Sequence, residues 1–246
     1  MRNSLPRNRT TILAAASAVL ETYEAVIGLS TSTAPVPRAG TTDTQASTVL
    51  AVEARRMRNA FASRTGSFGP DDPWFETRTR AFWDDALTFQ RFAGLAAPCL
   101  DETMVPTARW FQRAHRGLFS LRLHSDARDE TPFHLIDVWS GAELMVFPLD
   151  HLHSTSMRYA DGLIDGRVVA FPSGDSAINP LFLLPGYVHH ASDVLHEVHL
   201  IVNEARKRRL RTHHVLDALM QMELTRQRSA RVKAAFAYRV DCLPHP

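Results

Sequence analysis

Apolar positions along this chain change their spacing twice, and the changes divide it into three parts. From about residue 8 to 28 they recur at helical intervals, with Ile12, Ala15, Ala16, Val19, Leu20, Tyr23 and Ile27 on one face. The same spacing predicts a helix over about 46–64, marked by Val49, Leu50, Val52, Met57 and Phe61. A Gly- and Pro-rich break follows, and a new helix is expected near Asp72. The Asp72 carboxylate is placed to cap free backbone N–H groups, and Pro73 suits the first turn. The apolar set here is Trp74, Phe75, Phe82, Leu87, Phe89, Phe92 and Leu95.

From about residue 107 the period falls to two. Leu118–Leu123 alternates, as a strand does. Phe133–Trp139 puts Phe133, Leu135, Asp137 and Trp139 on one face, and Ser140-Gly141 turns the chain into Glu143–Pro148. Further strands are expected at Ser154–Tyr159, Arg167–Phe171 and Leu181–Leu184, with turns at Asp161-Gly162 and Asp165-Gly166. Five or six short strands of this kind predict a small antiparallel barrel or curled sheet, of SH3-like or OB-like size. The helical period then returns over about 190–207 and 212–236.

The fold class expected is therefore α+β. An N-terminal helix (1–28) leads into a linker (29–48) rich in Ser, Thr, Ala and Pro. Such a segment buries too little surface to offset its ordering entropy. A helical segment (49–106), a β domain (107–186) and a C-terminal helical pair (187–246) complete the organisation. The 246 residues suffice for a substantial core.

Composition narrows the setting. Apolar residues make up 45% and charged residues 22%, which excludes a charge-dominated disordered chain. Two distant cysteines cannot build a disulfide framework, so a cytoplasmic location is expected. No uninterrupted apolar run reaches the roughly 18–20 residues that span a bilayer. Arg2, Arg7 and Arg9 ahead of Ile12–Ala16 resemble a targeting segment. Ser17, Glu21 and Glu24 interrupt that pattern, and an amphipathic helix accounts for it better.

Charge changes the picture more. The total is only +2, and 26 of the 28 basic residues are arginines. Residues 206–239 hold ten basic residues against Asp217 and Glu223, a local +8, which leaves the rest of the chain at −6. The candidate binding residues are Arg206, Lys207, Arg208, Arg209, Arg211, Arg226, Arg228, Arg231 and Lys233. Such clusters attract phosphates through counterion release, which points to nucleic acid or an acidic protein surface as partner. Phe119, Phe133 and Trp139 are candidate stacking platforms for bases. The rival expectation is a homo-oligomer, in which the basic arm docks on the acidic residues Asp71, Asp72, Glu76, Asp84 and Asp85.

Catalytic motifs are sparse. There is no GxGxxG, P-loop or GxSxG, so an interaction protein is expected rather than an enzyme. His196-Glu197-Val198-His199 is one residue short of the HExxH zinc motif. His151 and His153 form an HxH pair, with His189 beyond a Pro-Gly turn, and three histidines can hold Zn or Fe. This order resembles the metal-binding motifs of cupin barrels, which implies a metal-dependent enzyme as the alternative. The glutamate of that pattern is missing, since Met157 and Arg158 stand where it would fall.

Overall fold

A computed structural model describes residues 5–31, 43–122, 132–149, 161–171, 179–229 and 233–244. Five helices come first: α1 (Leu5–Thr31), α2 (Asp43–Thr65), α3 (Phe75–Thr88), α4 (Phe92–Ala96) and α5 (Val105–Phe111). Six strands follow: β1 (His115–Arg122), β2 (Phe133–Asp137), β3 (Glu143–Phe147), β4 (Leu163–Ala170), β5 (Leu181–Leu183) and β6 (Val188–His190). The C-terminal helices are α6 (Leu195–Lys207), α7 (Thr212–Arg228) and the short α8 (Ala234–Ala237). The protein is α+β, as the change of period implies.

Five strands close into a barrel in the order β1-β2-β3-β5-β4 and back to β1. The β3–β5 pairing is parallel, so the barrel is mixed rather than purely antiparallel. Strands β5 and β6 both pair with β4, and they share one of its edges: β5 meets Val168–Ala170 and β6 meets Leu163–Asp165. Together they read as one strand interrupted at Leu184–Tyr187. Asp165-Gly166 is not a turn. It lies inside β4, and only Gly162, at φ +92°, adopts turn geometry there.

Alternation along β4 sorts the core into layers. Ile164 and Val168 point inward and join Phe119, Phe133, Leu135, Val146 and Leu183 inside the barrel. Leu163 points outward into a second core, built by α6, α7 and α8 around Leu118. Val169 points outward into a third, where α1–α5 pack on Phe182, Leu184 and Val188. Between them on the same outer face stand Asp165 and Arg167, both about 1% exposed.

The helices present the faces that their spacing dictates, with local shifts. In α2 the buried set is Leu50, Ala54, Met57 and Phe61, which steps at helical intervals. Val49 and Val52 fall off that stripe and are exposed, contrary to the expected apolar side. Asp72 caps no helix. It accepts the Gly69 N–H and an Arg228 guanidinium, while α3 begins only at Phe75. The expected linker is shorter than 29–48, because α1 runs to Thr31 and α2 opens at Asp43. Helix α7 is buried on almost every side, and its neighbours include α2, α6, α8 and β1.

One helix among the described residues, Thr10–Thr31, is long and apolar enough to cross a membrane by length and composition. In the fold its inner face (Ala15, Ala16, Val19, Tyr23 and Val26) joins the α1–α5 core.

The break between β5 and β6 docks the barrel on α3. Gly186 donates its N–H to Asp84 at 2.9 Å, and a Cβ added there would sit 2.3 Å from the Arg80 carbonyl oxygen. Gly186→Ala must therefore separate the barrel from α3. It is expected to lower unfolding free energy by about 2–3 kcal/mol, read as a drop in the urea midpoint.

Candidate functional site

The outer wall of the barrel carries the most unusual chemistry in the molecule. The β1–β4 register sets Arg116 directly opposite Arg167. Two like charges in such a position repel, and burial worsens the conflict. Aspartates from three elements resolve it. Asp165, on β4, takes a bidentate fork from Arg116 at 2.8 and 3.0 Å. Asp217, on α7, accepts from Arg116 and from Arg64 of α2, both at 2.6 Å. Asp85, on α3, accepts from Arg167 and Arg64 at 2.6 Å and from Gln90 at 2.8 Å. A fourth aspartate, Asp84, adds its field to that around Arg167.

Electrostatics follow from this placement. Burial works against the charged form of Asp85, but Arg167 and Arg64 outweigh it and hold the carboxyl below its ordinary value. Burial likewise opposes the charge on Arg116, yet Asp165 and Asp217 hold its proton more firmly than usual. Asp84 differs. Its partners are the Tyr23 hydroxyl at 2.8 Å and the Gly186 N–H, and burial pushes its pKa up to about 7.

Arg78 lies in the same interior but touches no carboxylate. Its guanidinium donates to the carbonyls of Thr65 and Gly66, at the C-terminal end of α2, and to that of Met220 in α7. A cation there complements the helix dipole, and Phe61 and Phe68 each lie 5.5 Å from it. Burial brings its pKa down to about 10.

A second polar chain crosses the α7–α8 junction. Tyr238 donates to Glu223 at 2.7 Å, so its oxygen accepts from His190 Nδ1 at 2.6 Å. Burial lowers the His190 pKa, and the neutral ring leaves Nε2 without a partner. Arg226 forks onto Glu223 at 2.8 Å and reaches Asp193 at 3.5 Å.

The basic arm of the sequence is thus divided. Arg226 is spent on Glu223. Arg228 meets Asp72 at 3.0 Å and the Ser67 carbonyl, an intrachain docking on one acidic residue. Arg206 donates to the Val138 and Trp139 carbonyls and lies 5.8 Å over the Trp139 ring. Arg208 and Lys207 both meet Glu204. Arg209, Arg211 and Lys233 are exposed, and none has an acidic partner among the described residues. Arg231 lies outside the described residues. Asp84 and Asp85, expected to receive the arm, are buried, and Asp85 binds Arg64 and Arg167 instead.

Two expected stacking platforms are excluded by burial. Phe119 and Phe133 sit inside the barrel, and Trp139 is covered by Arg206. A different ring surface stands beside the basic turn between α6 and α7. Phe89, 56% exposed, lies 5.6 Å from His213, which in turn lies 4.1 Å from His214. Its signal in the sequence was an apolar residue at the end of α3, read as core.

The metal alternative is only partly placed. His151 and His153 lie outside the described residues. His189 contacts the Asp161 carbonyl oxygen and lies 3.6 Å from its carboxylate. His196 and His199 are exposed on α6. Among the described residues no three His, Cys, Asp or Glu side chains converge as a metal site would require.

Two outcomes test the barrel wall. Asp85→Ala leaves Arg167 buried without its hydrogen-bonded carboxylate, and is expected to cost about 3–5 kcal/mol in denaturant unfolding. Asp84 is raised in the folded state, so its contribution is fully present below the ordinary carboxyl range and is lost as pH rises to about 7. Urea midpoints of wild type and Asp84→Asn, compared from pH 4 to 8, should therefore shift in favour of the variant as pH rises. A constant difference would contradict this.

The sequence matches no family model and no curated protein, and the structure matches no solved structure.

Proposed function

We propose that this chain is a nucleic-acid-binding protein and that the turn joining α6 to α7 is its contact surface. The observation that carries the reading is the pair Arg209 and Arg211, exposed and free of acidic partners among the described residues. Five of the six residues from Arg206 to Arg211 are cationic, against the single neighbouring acid Glu204. Arg206 ties the turn to the β2–β3 hairpin through two carbonyls, so the cations stand on a braced element.

The neighbouring rings favour nucleic acid over an acidic protein. Phe89 is 56% exposed beside His213, with Arg64 5.4 Å from its ring centre, and stacking on exposed rings is how unpaired bases are held. An acidic protein surface would use the charges and leave the rings idle. The reading assigns phosphate contacts to Arg209 and Arg211, and base stacking to Phe89.

Titration of labelled single-stranded RNA and DNA at 50 and 200 mM salt tests it. Affinity should fall as salt rises. Arg209→Glu/Arg211→Glu should weaken binding by about tenfold or more and flatten the salt slope by roughly 1–2. Phe89→Ala should weaken binding to single strands more than to duplex. Binding that is absent at 50 mM salt, or untouched by the double variant, refutes the assignment.

A further inference from the structure

Among the described residues, two of the grooves carry arginines, and they differ in how those arginines are used. The first, about 860 Å³, lies between α1, α3, β6 and α7. Its cations are satisfied: Arg80 pairs with Glu76, and Arg226 with Glu223. The second, about 1060 Å³, is formed by the chain from Arg91 to Arg113, around α4 and α5. Arg91, Arg109 and Arg113 line it, all three are exposed, and none meets a carboxylate among the described residues. Glu102 is the one acid in its lining.

The groove also contains a ready-made stack. Arg113 lies over the Trp110 ring, with its central carbon 4.6 Å from the ring centroid. Arg113 is exposed, so the side of its guanidinium turned away from the indole is open to another planar group. The other two arginines supply forked N–H donors, which match phosphate oxygens. The volume is of the order of known small-molecule clefts, about 300–1,000 Å³. A planar ring carrying a phosphate satisfies both halves of this lining, whereas inorganic phosphate leaves the stack unused and an uncharged nucleoside leaves the arginines unused.

From this geometry we infer that the α4–α5 groove is a nucleotide-binding site. The base stacks on the Arg113–Trp110 layer, Arg91 and Arg109 hold the phosphate, and Glu102 accepts from the ribose hydroxyls. None of these residues belongs to the α6–α7 surface, and the inference stands independently of that reading.

Equilibrium dialysis of the full chain against labelled AMP tests it, with adenosine and inorganic phosphate in parallel arms. Saturable AMP binding at one per chain is expected, with each of the other two at least tenfold weaker. Arg91→Glu/Arg109→Glu should reduce AMP affinity by about tenfold or more, the scale of losing one or two charge-assisted hydrogen bonds. Arg113→Lys keeps the charge but removes the planar face, so it should weaken AMP while leaving phosphate unchanged. Arg209→Glu/Arg211→Glu should leave AMP binding intact. All these side chains are exposed, and unchanged far-UV circular dichroism certifies each variant as folded. No saturable AMP binding up to millimolar concentration overturns the inference. So does phosphate binding as tightly as AMP, or AMP binding that survives Arg91→Glu/Arg109→Glu.

Discussion

Arg116 and Arg167 face each other across β1 and β4, on the outside of the barrel and beneath the helices. That opposition is the constraint around which the molecule is assembled. A barrel wall with two adjacent guanidinium groups cannot be covered by an apolar helix. It demands carboxylates, and it demands them from the covering layer. Helix α3 supplies Asp85, α7 supplies Asp217, and α2 adds Arg64, which bonds to both carboxylates. Two apolar cores flank the lattice, one on either side along β4. The helices are therefore positioned by fixed hydrogen-bond geometry at the centre and by less directional packing at the edges. Replacing such a lattice by apolar side chains can be neutral or stabilising in other proteins. Its contribution here is read as register, since it specifies which turn of each helix meets which strand residue.

The charge inventory of the lattice is nearly closed. Three guanidinium groups (Arg64, Arg116 and Arg167) meet three carboxylates, Asp85, Asp165 and Asp217, and a fourth, Arg78, is held by backbone carbonyls nearby. Asp84 decides the remainder. Protonated, it leaves the interior one positive charge in excess; ionised, it balances it. Its own hydrogen bonds run outward, to Tyr23 of α1 and to the β5–β6 break, so it couples the N-terminal helix to the barrel.

Much of this architecture could be read from the residues, and the limits have a physical cause. Periodicity located the helices, the β2–β3 hairpin and the two faces of β2, because local spacing alone decides which residues share a side. It placed Asp137 on the same face as Phe133 and Leu135, and in the fold that face is buried and the carboxylate meets His115, the Trp139 N–H and Ser140. The lattice was invisible because a charged residue reads as surface until its partner is known. Arg167 and Asp85 are 82 positions apart, and Arg64 and Asp217 are 153 apart. The parallel β3–β5 pairing escaped for the same reason. The basic arm was legible as a charge excess, but not its division: Arg206, Arg208, Arg226 and Arg228 are anchored within the chain, while Arg209, Arg211 and Lys233 have no acidic partner among the described residues. Phe89 looked like core because it is apolar, yet it ends α3 on the outside.

The separation of Arg64 from Asp217 has a consequence for how the chain matures. A ribosome adding roughly 5–20 residues per second takes on the order of ten seconds to travel from one to the other. Through that interval Arg64 has Asp85 and Arg116 has Asp165, but the carboxylate that both share, Asp217, is still missing. One donor on each guanidinium waits for it. The last-made partner is thus the one that ties α2 to the barrel wall, so the wall is fully paired only once α7 has emerged.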